Sequence, residues 1–191
     1  MTSEVAICNA ALAKVSNNRI ASLTEGSTAG DLCNEMYGRI RDRLLRRHLW
    51  NFNKKRVKLA RLSEAPVFGW AHAYQLPSDW LRNIAVHADA AGRSPSQAYQ
   101  VEGRRILADH EDIWLVYGAR VTDPNEFDEM FREALAYALA LELAVPLAKS
   151  ATLRDRMAEA FETFALEAQT IDGQDDPPEF APDPGWEAVR G

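Results

Sequence analysis

Residues 123–145 read DPNEFDEMFREALAYALALELAV, and the reading of that stretch decides the fold. Asp123, Pro124 and Glu126 form the pattern of a helix start. A carboxylate takes orphan backbone N–H groups, a proline stands where its missing N–H is not needed, and a second acid completes a capping box. Behind them Phe127, Met130, Phe131, Ala134, Leu135, Ala138, Leu141, Leu143 and Val145 leave little polar surface. A helix apolar on nearly every side is expected to be buried on most sides. Pro146 is expected to end or kink it.

Working outward, the flanking segments supply helices to cover it. From Ser3 to Val15, Val5, Cys8, Leu12 and Val15 recur at spacings of three and four, with Ser3 as the cap. A second helix follows Thr24-Glu25-Gly26-Ser27, capped by Ser27, and ends near His48-Leu49. Ala29, Leu32, Cys33, Met36, Ile40 and Leu44 lie on its apolar face. A fourth helix follows Lys149-Ser150 and runs to about Ile171, with Leu153, Met157, Ala160, Phe161, Phe164 and Leu166 expected inward.

Between the second and third helices the pattern changes to short β-branched runs at Leu81 to His87, Gln97 to Val101, Arg105 to Ala108 and Ile113 to Val121. Turn residues separate them, and Gly103 sits inside an evident hairpin. The expected fold is α+β and mainly helical. Residues 1–50 and 122–171 would form a four-helix bundle, residues 51–121 a small antiparallel β-sheet inserted between helices 2 and 3, and residues 172–191 an irregular, proline-rich tail. Phe180 and Trp186 are unusual in such a tail and admit two readings, incidental aromatics or a segment that docks on a neighbouring subunit or partner.

Composition is that of a folded chain, with 47% hydrophobic and 26% charged residues over 191 positions. No apolar run reaches membrane-spanning length; the longest, Ala134 to Val145, contains Glu142. The opening MTSEVAICNAALAKV carries Glu4 and no basic leader, so it does not read as a signal peptide, and the protein is expected to stay where it is made. Cys8 and Cys33 read as reduced core residues. The net charge of −6 hides an asymmetry. Arg39, Arg41, Arg43, Arg46, Arg47, Lys54, Lys55, Arg56, Lys58 and Arg61 face one acid, Asp42, whereas residues 172–191 hold six acids and Arg190.

A search for chemistry returns little. His48, His72, His87 and His110 have no metal-ligand spacing, the cysteines form no CxxC, and no phosphate-binding glycine loop or GxSxG elbow occurs. The carboxylate groups Asp109, Glu111, Asp112 and Glu126, Asp128, Glu129 stand where turns and helix starts favour acids. No cofactor, metal or catalytic residue is expected. The basic stretch, with Trp50 and Phe52 interleaved, admits three readings: a solvated face, an interface for an acidic partner, or a nucleic-acid track.

Five segments in order decide between these. SEVAICNAALAKV (3–15), LCNEMYGRIRDRLLRRHLWNFNKKRVKLA (32–60), FGWAHAYQLPSDWLR (68–82), YQVEGRRILAD (99–109) and ARVTDPNEFDEMFREALAYALALELA (119–144) together resemble the tail tubular protein A family, the head-to-tail adaptors (connectors) of short-tailed bacteriophages. The resemblance implies a structural virion protein and no enzyme. It implies self-association in a ring, expected to be dodecameric, between a portal protein and a tail nozzle protein, possible fibre attachment, and genomic DNA passing through the lumen without specific binding. It further implies assembly in the host cytoplasm and residence at the head–tail junction of the virion, with no membrane partner. A ring that DNA must traverse should not grip phosphate, so Arg39, Arg43, Arg46, Arg47, Lys54, Lys55, Arg56 and Lys58, with Phe180 and Trp186, are the candidate interface residues. Two other classes are a cytoplasmic nucleic-acid-binding module using residues 39–61 and a tail-borne polysaccharide hydrolase.

Overall fold

The computed structural model describes residues 2–16, 18–93, 95–96 and 98–174. Phe180, Trp186 and the rest of 175–191 lie outside the described residues. Helix α1 spans Glu4–Val15 and is capped by Ser3, whose Oγ accepts from the Ala6 N–H at 3.1 Å. Helix α2 spans Thr28–Arg47, and Ser27 Oγ accepts from the Gly30 N–H at 3.1 Å. Gly30 leaves a tight fit there. A Cβ would stand 3.2 Å from Glu25 Cγ and Ser27 Oγ, inside ordinary contact.

The third helix, α3, spans Glu129–Ala148 and begins later than the Asp123-Pro124 signature predicts. Asp123 instead accepts from the backbone and side-chain N–H of Asn125, closing its own turn. The cap is Asp128, which accepts from the Met130 N–H at 2.7 Å. Burial of Phe127 decides between the two acids, because its ring packs edge-on against Phe131, 4.9 Å away, and fixes where the chain enters. Pro146 does not end α3. It sits in the last turn, and Lys149, left-handed at φ 51°, closes the helix by donating to Val145 O. Ser150 then caps α4, Ala151–Gln174, through the Leu153 N–H. Leu166 points outward; Phe161, Ala165 and Ala168 carry the inner face.

The helices do not form a four-helix bundle with one inserted sheet. Two lie before the strands and two after, and α1, α2 and α4 each pack chiefly on α3. The physical reason is the composition of α3. Ala134, Ala136, Ala138, Ala140 and Ala144 are all buried, and small side chains around the whole circumference let three neighbours approach one axis.

Nor is there a single sheet. Strands β1 (Lys54–Lys58), β2 (His72–Gln75), β3 (Trp80–His87), β4 (Gln100–Glu102), β5 (Arg105–Ala108) and β6 (Trp114–Ala119) form two antiparallel sheets, ordered β1-β6-β3 and β2-β5-β4. Of the described residues, 46% are helical and 19% lie in strands, and the strands fall in two sheets. The split arises just past β1. The Leu59 N–H still bonds Ile113 O, but Ala60 O accepts from Gln75 and the Leu62 N–H bonds Ala73 O, so the chain leaves one sheet and edges the other. Both sheets close on one core containing Tyr74, Ile106, Leu115 and Tyr117. A separate helical core takes in Trp50, Leu81 and Val121 from the junction.

Candidate interaction surfaces

The basic stretch is not a bare cationic face. Among the described residues, six of its ten cations meet carboxylates: Arg41 with Asp42, Arg43 with Glu142, Arg47 with Glu162, Lys55 with Asp79, Lys58 with Asp112 and Arg61 with Glu111. Arg47 and Glu162 form a two-pronged pair at 3.0 and 2.6 Å, while the guanidinium lies over the Phe161 ring. The Arg47 hydrogen bonds hold the Glu162 carboxyl below its ordinary range. Arg46 donates to Leu81 O and lies over Trp80, and Lys54 donates to Asn51 Oδ1 at 2.6 Å. The stretch therefore staples α2 and β1 to α3, α4 and the sheets. Among the described residues, Arg39 and Arg56 are exposed and have no such partner.

The structure thus separates the sequence candidates into two sets. Arg43, Arg46, Arg47, Lys54, Lys55 and Lys58 are committed to contacts within the chain. Arg39 on α2 and Arg56 on β1 are the available pair.

A junction that the sequence did not advertise ties the end of α4 to the root of β1. Asp172 Oδ1 accepts from the Asn51 N–H at 3.0 Å, Asp172 O accepts from Asn51 Nδ2 at 2.7 Å, and Oδ2 lies 3.2 Å from His48 Nε2. The helix extends past Ile171 because these groups hold it there. A lone acid after an apolar residue at a helix end is the only sequence sign of this anchor.

The most exposed large apolar side chains among the described residues fall in two unlike places. In the loop between β1 and β2, Val67 is 97% and Phe68 87% accessible, beside Gly69 at φ 87°. On α4, Leu166 is 70% accessible. The run Ala65-Pro66-Val67-Phe68-Gly69, apolar yet bounded by turn residues, is a signal that could have marked the first of these.

The outer face of the β1-β6-β3 sheet is a third surface. Cross-strand rows place Arg56 beside Val116 and Ala85, and Lys58 beside Trp114 and His87. Lys58 Nζ lies 5.2 Å from the Trp114 ring centroid. These residues line a groove of about 530 Å³ closed by residues 89–92.

Five of the six carboxylates that the sequence offers for acid–base chemistry hold structural contacts. Asp109 accepts from the Ala71 N–H, Glu111 and Asp112 face Arg61 and Lys58, Asp128 caps α3, and Glu129 pairs with Arg132. Cys8 and Cys33 are buried and reduced. Their mutual hydrogen bond, then burial, pushes the Cys8 thiol up, away from reactivity. Among the described residues no group of three or more His, Cys, Asp or Glu could hold a metal, and no helix is long and apolar enough to cross a membrane. What the geometry defines is a two-core α+β protein with exposed apolar knobs and shallow surface grooves. No protein-family model and no curated protein matches the chain.

Proposed function

We propose that the chain is a structural subunit of a virion. It is one copy in the ring-shaped adaptor that joins a portal protein to a tail nozzle protein and lets DNA pass. The reading rests on the resemblance of five ordered segments between residues 3 and 144 to the tail tubular protein A family. One structural observation supports it most: the chain presents two different apolar knobs, Val67-Phe68 on the β half and Leu166 on the helical half. A closed ring needs such a pair, because each head-to-tail contact joins one patch to a different patch on the next copy. The ring expected from the resemblance is dodecameric, seated at the head–tail junction and assembled in the host cytoplasm, with fibres able to attach at its rim.

The nucleic-acid and hydrolase readings have less support. Among the described residues, six of the ten cations that would track phosphate already face carboxylates, and most of the acidic groups that would cut a glycan hold loops and a helix start. Replacing Val67 and Phe68 by Asp tests the adaptor reading. Neither side chain is buried, so the variant is expected to melt like the parent while failing to join a portal–adaptor complex in sedimentation. Assembly equal to that of the parent would reject the reading.

A further inference from the structure

The loop that carries Val67 and Phe68 is presented from a fixed base. The Ala71 N–H donates to Asp109 Oδ1 at 2.9 Å, and Trp70 Nε1 donates to Gln100 Oε1 at 3.3 Å. Held in this way, the two apolar side chains stand almost wholly in solvent. Glu64 and Arg105 share their rim. Both are exposed, and among the described residues neither meets an opposite charge. An apolar tip with one unanswered acid and one unanswered base beside it is half of a contact.

The other half lies on the helices. Between α3 and α4 runs a shallow groove of about 450 Å³. Tyr137 and Phe164 line it, half-buried, with ring centroids 5.6 Å apart. A further aromatic ring placed against such a pair adds edge-to-face contact to the area it buries. Arg156, Glu159 and Glu167 edge the groove from α4; all three are exposed, and among the described residues none has an ion-pair partner. Leu166 follows Thr163, another lining residue, by three positions, so the two are neighbours on the helix surface and the apolar strip continues past the groove. Arg156 and Glu167 stand about three turns apart on α4, so a tip bearing one acid and one base seats in one direction only. Tip and groove are both open in the single chain, so the contact that joins them is made between copies.

We propose that the Val67-Phe68 tip of one copy seats in the α3–α4 groove of the next, with Phe68 against Tyr137 and Phe164, Glu64 facing Arg156 and Arg105 facing Glu167. The inference rests on the head-to-tail reading above and names the patch that the tip meets. Paired cysteines test it in the full chain, because Cys8 and Cys33 are buried. With oxidised glutathione as the oxidant, Val67→Cys/Thr163→Cys is expected to give a ladder of dimers, trimers and higher multiples in denaturing gels. An equimolar mixture of the two single variants is expected to stop at the dimer. Val67→Cys/Ala91→Cys, whose second cysteine lies on the exposed groove of the β half, is expected to give no ladder at the same concentration and time. Adding Arg156→Glu is expected to slow the ladder about fivefold, and adding Glu64→Arg to that variant to restore it. No ladder from the Val67/Thr163 pair, an equal ladder from the Val67/Ala91 pair, or a rate indifferent to both charge changes would overturn the proposal. Absence of a ladder, together with failure of the aspartate variant at Val67 and Phe68 to join a portal–adaptor complex, removes this pairing and leaves the adaptor reading standing. A ladder together with unimpaired joining does the reverse.

Discussion

Tyr117 shows how single residues fasten the β half. Its hydroxyl donates to Asp79 at 3.0 Å, and Asp79 also accepts from Lys55 Nζ at 2.8 Å. Burial, then the hydrogen bond to Asp79, pushes the Tyr117 phenol up to about 12 from an ordinary 10.0. The raised value means the folded chain keeps a proton that the unfolded chain releases. The stability this contributes is whole below about pH 10 and drains as pH rises toward 12. The melting temperature of the parent should therefore fall more steeply across that window than that of Tyr117→Phe; an equal or steeper fall in the variant would contradict the assignment. Asp172 is the second residue of this kind. Asp172→Ala leaves the Asn51 N–H without its acceptor, and a loss of about 1–3 kcal/mol is expected in urea unfolding. Asp172→Asn, which keeps one acceptor oxygen, should lose less. Exposed pairs behave otherwise. Arg47→Ala at the Glu162 pair should change stability by under about 1 kcal/mol.

At the scale of elements, what was legible in the sequence is what local chemistry decides. Ser3 and Ser27 cap their helices because a hydroxyl reaches an N–H three residues on. The β4–β5 hairpin turns at Gly103, whose φ of 57° suits glycine. Asp123 misled for an equally local reason: two acids compete to start α3, and the buried Phe127 between them settles the choice through tertiary packing. Leu166 misled because the inner face of α4 runs through Phe161, Ala165 and Ala168, and small alanines carry a weak apolar signal. The contrast is measurable. Leu139→Ala in α3, fully buried, should destabilise by about 2–5 kcal/mol, whereas Leu166→Ala should stay within about 0.5 kcal/mol of the parent. Similar losses for both would mean the α4 face is misassigned.

At the scale of the molecule, the less legible features all depend on long-range pairing. Nothing local to residues 59–62 says that Leu59 bonds one sheet and Leu62 the other, since their partners lie near residues 113 and 73. The all-round apolar pattern of α3 did mark it as buried on most sides, but the patterns of the other helices do not say that each packs chiefly on α3 and not on one another. The candidate site shows the same limit. The basic stretch was legible as charge, but its neutralisation by Glu142, Glu162, Asp79, Asp112 and Glu111 was not, because most of those acids stand 50 or more positions away. Reversing Arg46, Arg47, Lys54 and Lys55 would therefore break contacts within the chain, which makes the exposed Val67-Phe68 loop the cleaner probe of assembly.

The most direct measurement is electron cryomicroscopy of particles produced with this chain. The adaptor account expects the two-core fold to fit a closed ring of repeated copies between portal and nozzle, with residues 63–70 or the outer face of α4 buried between neighbours. Particles whose head–tail junction is built without this fold, or in which it occurs as a single unrepeated copy, would contradict it.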